Sequence, residues 1–181
     1  MKTKKFLLAA LAVMCAMTMT TVCTSCGDDD DSSSNTPKVD NKKPVAIALI
    51  LSMPLTEDMQ KYCDVEVKYN NGEGEKTETV TGANWEKTLL SALPATFTFS
   101  RTVRMKANVD TASLGTIHYN KGYASNAILF NADGDQLNQL NFKSAEKSIG
   151  GKGPKVAELI NSGRIDFNDT YVFDENGNRK K

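Results

Sequence analysis

His118 is the only histidine in this 181-residue chain, and that narrows the available chemistry at once. A hydrolytic triad or a catalytic zinc site needs a histidine whose partners can be argued from spacing. His118 lies between Ile117 and Tyr119 at the start of a strand-like run, and no motif surrounds it. Cys63 is the other scarce reactive group. In Cys63-Asp64-Val65-Glu66-Val67-Lys68-Tyr69 the apolar residues fall on every second position. Cys63 therefore shares a face with Val65, Val67 and Tyr69 and packs inward as a small hydrophobe. A Cys63–His118 dyad is the lesser expectation. No nucleophile-elbow motif is present, and carboxylates are too plentiful for an acid pair to be picked out by spacing. The residues point to no catalytic set, no bound metal and no cofactor.

Other segments could bind rather than react. Asp133-Gly134-Asp135 and Asp174-Glu175-Asn176-Gly177-Asn178 look like fragments of calcium loops. A full loop needs a closing bidentate acid, and none follows Asn178. Asp, Asn and Gly are also what turns use to bond their own backbone, so both segments are read as turns. Gly150-Gly151-Lys152-Gly153-Pro154-Lys155-Val156-Ala157 resembles the helix-hairpin-helix element, which holds DNA phosphates on backbone amides at a helix start. Lys152 stands where that element has an apolar residue. The resemblance implies nucleic-acid contact through Lys152 and Lys155; the alternative is a loop entering a helix that starts at Pro154. It is not a nucleotide P-loop, because no Gly-Lys-Ser/Thr follows the required gap. Trp85, Phe97, Phe99, Phe130 and Phe173 fall where strand cores want them. Tyr119 and Tyr123, flanking Asn120-Lys121-Gly122, are expected to present their rings on a loop as ligand-binding aromatics.

Short strands must position these side chains. Pro44 to Met53 is an apolar run bounded by prolines, a strand buried on both faces. Thr56 caps a helical turn reaching Tyr62. The alternating 63–69 segment is a half-buried strand. Asn70-Asn71-Gly72-Glu73-Gly74 is its turn, and Lys76 to Thr81 is the hairpin partner, near an edge. Trp85 to Leu90 is a short strand ended by Leu93-Pro94. Thr96 to Asn108 alternates, with Phe97, Phe99, Val103, Met105 and Ala107 on one face. Arg101 interrupts that face and is expected near a sheet margin. Tyr119 to Phe130 forms a strand, and Gln136 to Phe142 returns beside it. Pro154 to Ile160 is the one credible helix, stopped by Asn161-Ser162-Gly163. Arg164 to Phe173 alternates again. Seven or eight short strands at this spacing predict a mainly β fold, a β-sandwich with one short C-terminal helix. A lipocalin-like barrel is the alternative. Over about 44–130 the order of a Val-rich strand, a Gly-turn hairpin, a Trp strand and a Leu-Pro-Ala lead into a long strand resembles immunoglobulin-like domains of bacterial surface lipoproteins.

The N-terminal residues supply an address. Lys2, Lys4 and Lys5 precede an apolar run from Phe6 to about Met19. A basic start, a short apolar run and small residues before a cut define a secretory signal; spanning a bilayer takes about 20 apolar residues. Thr24-Ser25-Cys26 resembles the lipobox of bacterial lipoproteins, with Cys23 where leucine is usual. The resemblance implies residues 1–25 as signal peptide, a lipid on Cys26 and attachment to the outer membrane. Asp28-Asp29-Asp30-Asp31 resembles the export signal of surface lipoproteins in gut-dwelling Gram-negative anaerobes, which implies display at the cell surface.

Removing the signal takes three lysines and no acid from 22 of each, leaving 19 basic and 22 acidic side chains, net −3. That balance gives no electrostatic case for nucleic acid, which wants a clustered basic face. Cys15 and Cys23 leave with the signal and Cys26 is acylated, so Cys63 has no disulfide partner in the chain. Residues 26–43 read as a disordered acidic tether, and 44–181 as a single domain. The expected function is a non-catalytic envelope lipoprotein, a tethered module for binding or assembly with an envelope protein or glycan. A small hydrolase directed at glycans or peptides is the second expectation, and nucleic-acid capture through Gly150 to Ile160 the third.

Overall fold

A computed structural model describes residues 42–145 and 147–180. The signal peptide, Cys26 and nearly all of the tether lie outside the described residues. The fold is mainly β, with eleven strands and two helices among the described residues. Strand β1 (Ala46–Pro54) runs into helix α1 (Glu57–Tyr62), followed by β2 (Cys63–Asn70), β3 (Glu75–Thr79), β4 (Asn84–Ala92) and β5 (Ala95–Met105). Then come β6 (Thr116–Tyr119), β7 (Ala124–Phe130), β8 (Gln136–Lys143), β9 (Ile149–Lys152), helix α2 (Gly153–Asn161), β10 (Phe167–Phe173) and β11 (Arg179–Lys180).

All pairings are antiparallel. One sheet has the order β4-β1-β7-β8, a second β11-β10-β5-β2-β3, and a small third pairs β6 with β9. No sheet closes on itself, which removes the lipocalin-like barrel: hydrogen bonding stops at β4 and β8 in one sheet and at β11 and β3 in the other. The edge position expected for the 76–81 strand holds for β3.

Local chemistry explains the elements. Thr56 caps α1, its Oγ1 accepting from Met59 N at 3.1 Å, with Glu57 and Asp58 in the first turn where the helix dipole favours acids. Helix α2 starts at Gly153 with Pro154 in its first turn and buries Gly153, Val156, Ala157 and Ile160. Strand β2 alternates buried and exposed residues along its length, as its sequence requires. In β1 only Ala46 to Leu49 are buried on both faces; beyond them alternation returns at Ile50 and Ser52. The predicted strand from Tyr119 to Phe130 is broken. Asn120 leaves the ladder to donate Nδ2 to Pro54 O at 3.0 Å, and β6 pairs with β9 while β7 pairs with β1.

The inner faces of the two large sheets share one core. Trp85 on β4 stacks on Phe99 of β5, with ring centres 5.2 Å apart and planes at 1°. Its indole N–H, which burial obliges to find a partner, donates to Glu78 Oε2 on β3 at 2.8 Å. Tyr69 OH and Lys87 Nζ donate to the other oxygen of that carboxylate. Glu78 therefore ties one lateral seam. The opposite seam joins rings: Phe142 of β8 meets Tyr171 and Phe173 of β10 at 5.6 and 5.8 Å.

The two ends of the body differ. The described chain comes in beside Phe130, where Val45 N donates to Phe130 O at 2.8 Å. Tight connections at that end join β2 to β3, β4 to β5, β7 to β8 and β10 to β11. The longer segments, 55–62, 106–123 and 144–166, lie at the far end with both helices and the small sheet. No helix among the described residues is long and apolar enough to cross a membrane.

Candidate functional site

At the far end, beside the seam between β8 and β10, the surface opens into a concavity of about 340 Å3. The β6–β7 connection contributes Lys121, Gly122 and Tyr123 to its lining; β8 and the residue after it contribute Lys143 and Ser144; β10 contributes Phe167 and Asp169. Polar residues at inward-facing positions hold these walls. Arg101 was expected near a sheet margin, but β5 is the central strand of its sheet and Arg101 is 1% exposed. It resides there because carbonyls receive its guanidinium: Nη2 donates to Ile165 O at 2.5 Å and to Lys121 O at 3.0 Å. The same group stands 4.8 Å from the Phe167 ring centre. Arg101 thereby pins two walls of the concavity to the core.

A run of hydrogen bonds crosses between the sheets behind it. Ser125 Oγ lies 2.8 Å from Tyr171 OH, which lies 2.7 Å from Tyr123 OH. Tyr123 OH also contacts Asp169 Oδ2 at 2.8 Å, and Lys143 Nζ donates to that oxygen at 2.8 Å. A buried hydroxyl without a partner costs about 1–3 kcal/mol, so the run is what lets these polar groups sit inside. Burial first, and then the Tyr171 and Asp169 contacts, push the Tyr123 phenol well above its ordinary range. Tyr123 stays protonated and works as a fixed hydroxyl.

The residues singled out in the sequence are dispersed. Tyr119 and Tyr123 do not present their rings on a loop; they are 5% and 2% exposed and belong to the core. Tyr119 ends β6, and only Tyr123 reaches the concavity. Lys152 and Lys155 are exposed at the start of α2. The segment before them is strand β9 rather than a helix, so the helix-hairpin-helix arrangement is not formed. Its glycines have packing reasons. A Cβ on Gly153 would meet Leu114 Cβ at 2.3 Å, and one on Gly151 would meet Val156 Cγ2 at 2.9 Å. The Gly153 amide already donates to Gly115 O at 2.6 Å.

Cys63 is buried, as its alternation predicts, and burial pushes its thiol up to about 11. Its sulfur contact is Met105 Sδ at 3.8 Å. His118 instead faces Asp58, whose Oδ2 lies 3.2 Å from Nδ1 and accepts the His118 backbone N–H at 2.7 Å. The Cys63–His118 dyad is not formed. The two acidic loops are turns of one kind: Asn131 Oδ1 accepts from Asp133 N and Asp135 N, and Asp174 Oδ1 accepts from Asn176 N and Asn178 N. Those oxygens serve the backbone. No group of three or more His, Cys, Asp or Glu among the described residues is placed to hold a metal.

Sequence reading missed Lys143 and Asp169. A signal was present. Asp169 lies between Phe167 and Tyr171 at the same strand parity, and Ser125 shares parity with Ala127 and Leu129. A polar residue on an inward face must meet another polar group, because burying it alone is costly.

A second concavity, about 490 Å3, lies on the outer face of the β2–β3–β5 region and holds Asp64, Glu66 and Arg104. Arg104 is paired with Asp166 at 2.7 Å, and Glu66 lies 3.9 Å from Lys68 with 48% of its side chain exposed. No known family model, curated protein or solved structure matches the chain.

Proposed function

We propose that this protein is a non-catalytic lipoprotein of the cell envelope, an immunoglobulin-like β-sandwich tethered through lipid on Cys26 and used for binding. The supporting observation is the polarity of the body. The chain comes in at the end made of tight turns, and the long connections with the concavity lie at the opposite end. A tether attached at the turn end directs the elaborated end away from the membrane. Two acyl chains suffice for stable attachment at about 0.8 kcal/mol per buried methylene. The acidic residues 28–31 are repelled by an anionic surface and hold the body off it.

A hydrolase reading placed on the second concavity would use Asp64 and Glu66. Glu66 is open to water beside Lys68, a setting that offers neither exclusion of water nor an apolar pocket for a general acid.

The test is site-specific photo-crosslinking on intact cells, with the probe at Lys121 or at Asp133, in wild type and Cys26→Ala. Membrane-bound protein with adducts from position 121 alone is the expected result. Membrane retention of the Cys26→Ala chain would overturn the tether, and adducts from position 133 alone would overturn the orientation.

A further inference from the structure

We propose that the concavity between β8 and β10 binds a small hydroxylated carboxylate, with the carboxylate on Lys121 and hydroxyls on Lys143, Asp169 and Ser144. This rests on the binding-module reading and names its ligand class. Size is the first argument: about 340 Å3 is near the lower end of ligand pockets, room for a single ring or a short polyol chain.

Charge is the second. Two lysines and one aspartate line the concavity, on a domain (44–181) whose 16 basic and 17 acidic side chains nearly balance. An ammonium has three donors, and Lys143 gives one to Asp169. Lys121 is exposed and lines the concavity from the β6–β7 connection. It is the lysine assigned to the anion, while Lys143 stays paired with Asp169.

The third argument is the acceptor. Tyr123 OH and Lys143 Nζ both use Asp169 Oδ2. Among the described residues Oδ1 receives neither, and Asp169 is 26% exposed at its side chain. A carboxylate fixed in this way takes hydroxyl donors and repels a second acid close by, so the ligand needs its acidic and hydroxyl ends apart. Stacking is not the means of recognition. Tyr123 is 2% exposed with Lys143 Nζ 4.8 Å over its ring, and Phe167 is packed by Tyr123 at 4.7 Å and by Arg101.

The experiment titrates the full-length chain in detergent micelles with D-glucuronate, D-gluconate and D-glucose, followed by ligand-observed NMR. The first two carry the carboxylate; the third is the neutral ring. At least one acid should bind ten-fold or more tightly than glucose. Lys121→Glu should weaken that binding at least ten-fold, and Lys121→Arg should retain it. Lys121 is exposed, and an unchanged melting temperature shows the variant is folded. Equal binding of glucose, indifference to Lys121→Glu, or no binding of either acid by the folded chain would overturn the proposal. If position-121 adducts still form on cells in that case, the binding-module reading survives and only the ligand class falls.

Discussion

Glu78 shows how much one carboxylate can organise. Bonds from Lys87, then Tyr69, then Trp85 hold its carboxyl down at about 2, from an ordinary 4.5. A depressed acid stabilises the fold above its unfolded value and loses that contribution as pH falls through the folded one. The window here is from about 4.5 down to about 2. With 35% of the side chain exposed, solvent screening limits the contribution to about 1 kcal/mol. Thermal melts should therefore show a steeper loss of stability across that window in wild type than in Glu78→Gln, which should be the less stable chain at pH 7. Parallel curves would show that the seam does not depend on the ionised group. The place of Trp85 in a strand core was legible in the sequence, but its indole partner was not. Glu78 looks like one more solvated charge until β3 is folded beside β4.

At the scale of elements, short-range chemistry and packing divide the work. The Thr56 cap, the Pro154 start and the Asn/Asp turns act within four or five residues of one another. They were legible for that reason. The glycines at the start of α2 were legible as a motif and misleading as a function, because their reason is packing: Gly150 against His118, Gly151 against Val156, and Gly153 against Leu114 and Gly115. Gly153→Ala should cost about 1–3 kcal/mol by overpacking, since the added Cβ would also lie 2.6 Å from Leu114 O. Gly115→Ala, which meets nothing within 4 Å, is the matched comparison and should cost less. Urea unfolding of the two variants checks this; equal midpoints would mean that the α2 start yields freely.

For the whole molecule, one core serves both large sheets among the described residues. Rings from the two sheets meet at Trp85–Phe99 and at Phe142–Tyr171. Neither sheet can then open without exposing the other's inner face. Unfolding should be a single cooperative transition, with Trp85 fluorescence and far-ultraviolet circular dichroism changing at the same denaturant concentration. Separate midpoints would mean that the far-end cap or one sheet melts alone. The antiparallel order also accounts for the difference between the two ends of the body, since alternate connections return to the same end and the long ones gather opposite the incoming chain.

Although β6, β9 and β11 could not be read from the chain alone, the positions of β1 to β5, β8 and β10, the hairpin between β2 and β3, the pairing of β7 with β8, the inward Cys63 and the helix starts could. Each depends on period-two alternation or on neighbours a few residues apart. Parity placed Arg101 on an inward face, and the same parity was there to be read at Ser125 and Asp169, but it could not say what they would meet. Their partners lie far away in sequence: Tyr171 is 46 residues from Ser125, Asp169 is 46 from Tyr123, and Ile165 is 64 from Arg101. Those meetings follow from the pairing of β5 with β10 and from the packing of one sheet on the other. Only the tertiary fold decides them, because local periodicity determines which side a residue faces and carries no information about which strand lies across the core.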